Sequence, residues 1–549
     1  MTDSSPDLDT VPPDLDQEPH AGVLDPPTTL WGTLRKLGPG LIVAASIVGS
    51  GELIATTKTG AQSGTSLLWL ILLGCVVKVF AQVELGRYSI THGQTTLDAL
   101  NRLPGRIGPV NYIVWFFVIM LSASTFQAGG IVGGVGQSMA IAFPLTGDYL
   151  RAIQIPSEKE LIWFLKWEED LSGTRERFEK LTPDQQFRTE RGHQRLKEQI
   201  ERAGEPAFAA LRQVRMVGEF DDPWTIDDRI WAGGITILTI SLLYSGSYGL
   251  LQTVSTVFVV AFTGTTMWNV LALQGTEEWS ISREELWQGF QFRLPPGEDP
   301  WASIRTALAT FGIIGVGAAE LIVYPYWCIE RGYARYTGRR TNEESWAARA
   351  RGWIRVMKWD AFLSMLVYTA ATMAFYFLGA AVLHREGRDP EGLRMVATLA
   401  AAYVPVFGEY AKWLFLMGAI AVLYSTFLVA NAGHARMFVD WLKVANLVDR
   451  NSQAVHDRWL KALVVILPTI AYVLYLAGAD PVVAVLTSGL AQSIMLPMVG
   501  LGTLYFRWTA TDERLKPGPL WDIALVVSFL AFLITGVWGI YSQIVTHLL

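Results

Sequence analysis

Cysteine is nearly missing from this chain. Only Cys75 and Cys328 occur in 549 residues, each inside an apolar run, so neither a disulfide framework nor a cysteine-based zinc site is supported. Charge is scarce too: Asp, Glu, Lys and Arg supply 17% of residues, squeezed between long apolar stretches, which excludes an ordinary soluble domain. The net charge of -6 is small for this length and points to no nucleic-acid partner. The seven His are scattered and form no Ser/His or metal-His constellation, so nothing supports an enzyme or a bound cofactor. The first 30 residues hold seven Asp or Glu and six Pro but no Lys or Arg. That start lacks the basic stretch of a secretory signal, so the first apolar run is expected to stay as a membrane helix. Residues 1–36 read as an acidic, disordered cytoplasmic tail, because such a composition buries too little apolar surface to order itself.

What is abundant is apolar, 51% of the chain. The runs fall at about 38–59, 65–88, 110–143, 229–246, 248–273, 303–328, 361–384, 411–438, 460–478, 481–506 and 520–545, most of them near the roughly 20 residues that cross a bilayer as helix. Barrel strands are about half as long and alternate. The expected architecture is therefore an all-α integral membrane domain, 37–549, of about eleven helices. Between the third and fourth segments lies a charged helical insertion, 150–226, whose role as lid, docking module or decoration the sequence leaves open. Arg331, Arg335, Arg339, Arg340, Arg349, Arg351, Arg355 and Lys358 crowd the connection after the sixth segment, which places it in the cytoplasm. Arg35, Lys36, Arg436, Lys443 and Arg450 fall on the same side, so the N-terminus is expected inside, in the plasma (inner) membrane of the cell. The third segment carries Ala128-Gly129-Gly130-Ile131-Val132-Gly133-Gly134, a run suited to close helix packing. Trp115, Trp231 and Tyr541 suit interface anchoring, and His434 beside Arg436 is expected near a helix end.

One heptapeptide is written twice, Val48-Gly49-Ser50-Gly51-Glu52-Leu53-Ile54 in the first segment and Val316-Gly317-Ala318-Ala319-Glu320-Leu321-Ile322 in the sixth. Five crossings separate them, so the repeat is inverted. Transporters built this way bind substrate near the bilayer midplane, where corresponding helices break. Gly49, Gly51, Gly315 and Gly317 each cost a helix interior roughly 1 kcal/mol relative to Ala, and a break at both places is expected. Glu52 and Glu320 would then open the second half-helices, where the dipole favours negative charge. A carboxylate at membrane depth costs about 2.5–3.5 kcal/mol and by default marks an ion or substrate site. A simpler account has each Glu capping its own half-helix and pairing with a buried base, Lys78 or Lys58.

From Gly38-Pro39-Gly40-Leu41-Ile42-Val43-Ala44 onward, through Gly60-Ala61, Leu67-Leu68-Trp69, Phe311-Gly312-Ile313-Ile314-Gly315, Ala432-Gly433-His434, Met437-Phe438 and Leu496-Pro497, the chain resembles the natural resistance-associated macrophage protein family, Nramp, of proton-coupled divalent-metal transporters. The resemblance implies a leucine-transporter-like fold of two inverted five-helix repeats plus one helix. It also locates the family's metal site in the first and sixth helices, and there the ligands differ. The family's Asp-Pro-Gly-Asn is Gly49-Ser50-Gly51-Glu52 here, its Met-Pro-His is Ala319-Glu320-Leu321, and its acidic third-helix stretch is Thr125-Phe126-Gln127-Ala128-Gly129-Gly130. Selectivity is thus expected to be altered, and the family's route for protons is not carried by the same carboxylates.

The leading expectation is a secondary transporter whose Glu52 and Glu320 hold a hard divalent cation such as Mg or Mn, with Gly49, Ser50, Gly51, Gly317 and Ala319 around it. Gln127, Tyr424, Ser425, Thr426 and Gln492 are candidates to line the path. Two alternatives remain open: an organic solute such as an amine or amino acid carried on the same fold, and a membrane sensor that moves nothing. The partners expected are the lipid bilayer and the small cation or solute, with any protein partner of the insertion unknown.

Overall fold

The computed structural model describes residues 22–38, 48–170, 173–180, 183–246, 249–293, 295, 300–450 and 452–548. The motif Pro39-Gly40-Leu41-Ile42-Val43-Ala44 and the inner part of the first segment lie outside the described residues, as do residues 1–21 of the acidic tail. Within the rest of that tail, Leu30–Lys36 is helical, with the Thr29 hydroxyl capping Gly32. This stretch is held where disorder was expected, because Leu24 bonds to Tyr336 O (3.1 Å) and to the Trp353 indole (2.9 Å).

The described chain is almost wholly helical, with one two-stranded ribbon pairing Arg106–Ile107 with Val110–Asn111. Eight helical segments are long and apolar enough to cross a membrane: Leu68–His92, Tyr112–Ala142, Trp301–Glu330, Glu344–Leu383, Val404–Val444, Gln453–Leu476, Pro481–Thr509 and Pro519–Ser542. The expected fourth and fifth segments are the helices Asp227–Ser245 and Gly249–Leu273; the first falls short of that criterion, and Val257–Leu273 of the second is an apolar stretch of helix. The outer faces are apolar as well, with Ile237, Val260, Leu271, Ile523 and Ile534 largely exposed, as a lipid solvent allows. Cys75 and Cys328 are both free and buried.

Glycine sets how close the helices come. Gly129 faces the Ala471 carbonyl, Gly130 the Pro481 carbonyl and Gly136 the Asp228 carbonyl, so the glycine run of the third segment is the seam against the fourth, ninth and tenth. Gly60 meets the Tyr376 carbonyl while Gly379 meets that of Thr57. This reciprocal contact joins the C-terminal end of the first segment to a π-helical turn, Gly379–Leu383, that ends the seventh. His434 is a correction: its helix runs on to Val444, so the ring is buried within the helix rather than at its end.

Within residues 150–226 lie the helices Glu158–Glu168, Thr174–Glu179, Pro183–Ala203 and Glu205–Val217. Leu161, Leu165, Leu196, Ile200, Ala207 and Val214 form a core of its own. Glu391, between the seventh and eighth segments, pairs with Lys159 of the insertion (2.9 Å) and with Lys58 of the first segment (3.0 Å). Arg394 beside it bonds Asp222 at the far end of the insertion (2.8 Å).

A second ionic cluster ties the connection after the sixth segment to that after the tenth. Asp512 pairs with Arg514 (3.0 Å) and Arg340 (3.2 Å), and Arg514 also bonds the carbonyls of Thr341, Asn342 and Glu343. The Arg514 hydrogen bonds and the Arg340 charge push the Asp512 carboxyl down to about 2. A carboxylate depressed in the folded state contributes stability above its ordinary value near 4 and loses it as pH falls toward 2. Asp512→Asn is therefore expected to lower the melting temperature near neutral pH, by on the order of 1 kcal/mol of stability. The gap from the parent protein should narrow as pH drops from about 5 to about 3. A gap constant across that range in thermal melts would remove the ionic explanation.

Candidate functional site

The sixth segment breaks where the glycines sit. Its first half, Pro300–Ile313, ends before Gly315, which adopts the left-handed φ of 63°; its second half, Ala318–Glu330, starts from an extended Gly317. Any side chain at 315 would be strained by that φ and would press on the Tyr368 ring and Cys75 Cα. In the first segment, residues 48 and 49 form a turn, and a π-helical turn, Gly51–Thr56, leads into Thr57–Ser63. Each Glu stands in the first turn of the helix that follows its glycines, as the repeat required.

The turn at residues 48 and 49 and the break of the sixth segment meet. Gly51 lies against the Ile313 carbonyl, with room for no more than a methyl group (3.5 Å), and Thr59 and Thr310 share a hydrogen bond of 2.8 Å. Glu52 is fully buried and reaches across: Oε1 accepts from the Gly315 amide and from the Thr372 hydroxyl, each at 3.3 Å, while Oε2 accepts from the Gly49 amide at 3.3 Å. One carboxylate thus ties both breaks and the seventh segment together.

Glu320 is less provided for. Its Oε2 is enclosed yet has no hydrogen-bond partner. A Cβ added at Gly317 would run into that oxygen and into Gln492 Oε1, so glycine there keeps the space open. Gln492 accepts from the Ala319 amide (3.2 Å) and donates to Gln127 (3.4 Å) and Ser488 (3.3 Å), and Gln127 donates to Ser50 (3.1 Å). A belt of amides and a hydroxyl therefore runs from the first segment through the third and tenth to the sixth.

Of the expected residues, the structure gathers Glu52, Gly49, Ser50, Gly51, Gly317, Ala319, Glu320, Gln127 and Gln492 around the two breaks. Ser425 and Thr426 each donate to the Val422 carbonyl of their own helix at 3.0 Å, and Tyr424 lies beside them with its hydroxyl enclosed. The simpler pairing account is corrected at both bases. Lys58 binds Asp389 (2.5 Å) and Glu391, while Lys78 donates to the carbonyls of Phe311 and Ile314. Thr372 and Tyr368 complete the surroundings and carried no signal in the sequence, being ordinary polar residues of an apolar run. Among the described residues no cluster of three or more His, Cys, Asp or Glu forms a metal site. A cation held here would need the two carboxylates together with amide, carbonyl, hydroxyl or water oxygens.

An all-helical membrane bundle whose sixth segment breaks against a turn in the first fits a leucine-transporter-like fold. The same fold is found in a crystal structure of the Eremococcus coleocola manganese transporter in complex with an aromatic bis-isothiourea substituted compound, with a TM-score of 0.53 and 12% identity over 96% of this chain and 91% of that one. The profile of the family described as natural resistance-associated macrophage protein-like matches residues 225–542, more than half of the sequence, and the chain belongs to that family. Two curated relatives, each named divalent metal cation transporter MntH, are similar over shorter stretches. That of Verminephrobacter eiseniae is 27% identical over 110 residues, 20% of this chain and 25% of the relative. That of Mycobacterium tuberculosis is 26% identical over 121 residues, 22% and 28% respectively. The matches thus span about a quarter of the curated relatives' length.

Proposed function

We propose that this protein carries a hard divalent cation, Mn or Mg, across the membrane through the space between its two broken segments, with Glu52 and Glu320 as the charged ligands. The observation that carries this reading is the unequal state of the two carboxylates. Both Glu52 oxygens accept from protein donors and brace the two elements, whereas Glu320, beside the Gly317 amide that opens its half-helix, keeps one enclosed oxygen, Oε2, outside any hydrogen bond of ordinary geometry. An unpaired carboxylate oxygen in such surroundings is costly unless a cation or proton joins it. The family membership and the named specificities of the relatives, manganese and divalent metal cations, agree in direction.

The donor set favours oxygen-loving ions. Ala319 and Glu320 offer a methyl group and a carboxylate, with no thioether or imidazole to recruit a softer metal. The Gln127–Gln492 belt supplies neutral amides that orient without trapping the ion. Where the resemblance would call for an acidic third helix, Gln127 cannot shuttle a proton, so the proposal includes no coupling of that kind. The inner membrane, with a cytoplasmic N-terminus, is the proposed location.

The test is flux into proteoliposomes. Mn2+ and Mg2+ uptake down an imposed gradient, above that of protein-free vesicles and blocked by excess of the other ion, is the expected result. Uptake of an amine with no divalent flux would replace this reading with the organic-solute alternative.

A further inference from the structure

Lys78 stands in the middle of the helix Leu68–His92, fully buried, and its ammonium is spent on backbone. It donates to Phe311 O and to Ile314 O (2.8 Å) and lies over the Phe311 ring at 4.9 Å. Those carbonyls end the first half of the broken sixth segment, where the helix dipole is negative and its last C=O groups lack helical partners. The placement is built in from both sides. Gly74, one turn before Lys78, leaves room for Ile314 and Phe311, and Cys75 abuts Gly315. The titratable groups whose fields reach it are Cys75, Glu320 and Glu52. Lys78 thus sets a basic group at the very break where the cation is to be held.

We propose that Lys78 is a tethered counter-cation of the transport site: it positions the end of the first half of the sixth segment and, by its charge, weakens the hold of Glu52 and Glu320 on a divalent ion. This rests on the divalent-cation reading above. Two carboxylates alone would neutralise a divalent ion fully; with the ammonium present the trio carries a net charge of about -1, so an arriving divalent ion is overbalanced by one positive charge. Weak binding suits a carrier, since an ion held by two buried carboxylates with nothing opposing them would leave slowly. The same ammonium also satisfies carbonyls that the break would otherwise leave bare, so Lys78 is a positioning residue whose charge and whose hydrogen bonds can be separated.

The separating variants are Lys78→Met, which keeps the length and loses both charge and donors, Lys78→Gln, which keeps a donor amide without charge, and Lys78→Arg, which keeps the charge. Full-length protein is titrated with Mn2+ and with Mg2+ by calorimetry, and initial uptake rates give KM and kcat in proteoliposomes. Lys78→Gln is expected to bind Mn2+ at least about ten-fold more tightly, with lower KM and lower kcat, while Lys78→Arg stays near the parent. Lys78→Met is expected to share the tighter binding but melt at a lower temperature, because the carbonyls lose their donor. If the parent binds Mn2+ through Glu52 or Glu320 while Lys78→Gln binds it equally or more weakly, the transport reading stands and this inference falls. If neither the parent nor any Lys78 variant binds Mn2+ or Mg2+, both fall together.

Discussion

Glu320→Gln is expected to reduce Mn2+ and Mg2+ uptake by at least about a hundred-fold, the loss of transition from a charged to a neutral ligand being worth roughly 3 kcal/mol in a low-dielectric site. The fold should survive. Glu320 Oε2 makes no hydrogen bond of ordinary geometry, and an amide of the same shape keeps an oxygen to face the Gly317 amide. Glu52→Gln is expected to lose flux to the same degree and stability as well. Its carboxylate accepts at both oxygens, and the NH2 end of an amide must then face either the Gly49 amide or the Gly315 amide and Thr372 hydroxyl. An amide facing an amide leaves a buried donor unsatisfied, at a cost of about 1–3 kcal/mol. The pair thus separates roles: a parent-like melting temperature with lost flux at 320, and a fall in both at 52. Divalent flux in either variant within about two-fold of the parent would sink the proposed ligand set.

The second large effect concerns packing alone. At Gly312 an added Cβ would overlap the Gly489 carbonyl, and at Gly489 it would run into the Ala309 carbonyl, so the sixth and tenth segments touch backbone to backbone. No rotamer relieves a clash with a carbonyl on a packed helix; the helices themselves must part. Gly312→Val is expected to cost about 3 kcal/mol or more, at or beyond the upper end of ordinary overpacking, and to abolish flux because the contact sits one turn before the break. The matched control is Gly264→Ala, where a Cβ meets open space and the gain in helix propensity leaves stability equal or slightly higher. Melting curves in detergent read both, and a Gly312→Val protein that melts with the parent would show that the two segments are not held in this contact.

The feature most legible in the sequence was the one with internal redundancy. The heptapeptide appears twice, so each copy vouches for the other, and the left-handed Gly315 and extended Gly317 give the break in the sixth segment its physical form. The glycine run at 129–134 was readable for a similar reason, since small residues in a lipid-spanning helix have few uses besides close approach. Gln127 and Gln492 were readable as polar residues out of place, but not as partners of each other. Their mutual bond depends on the third and tenth segments lying side by side, which no local pattern encodes. Thr372 shows the limit most plainly: one hydroxyl in an apolar helix looks like any other until the fold delivers it to Glu52. Lys58 and Lys78 failed in the opposite way. Both were visible as costly buried charges, yet the sequence offered the wrong acceptors, because the carboxylates that claim Lys58 and the carbonyls that claim Lys78 come from distant connections and from a helix end.

Glu391 has one further consequence. Its carboxylate is shared between Lys58, on the helix that continues from Glu52, and Lys159, on an insertion with its own core. With the Arg394–Asp222 pair beside it, this carboxylate anchors the insertion to the membrane helices. A substitution at Glu391 would therefore be felt in two bodies at once, the helix that follows Glu52 and the separately packed insertion.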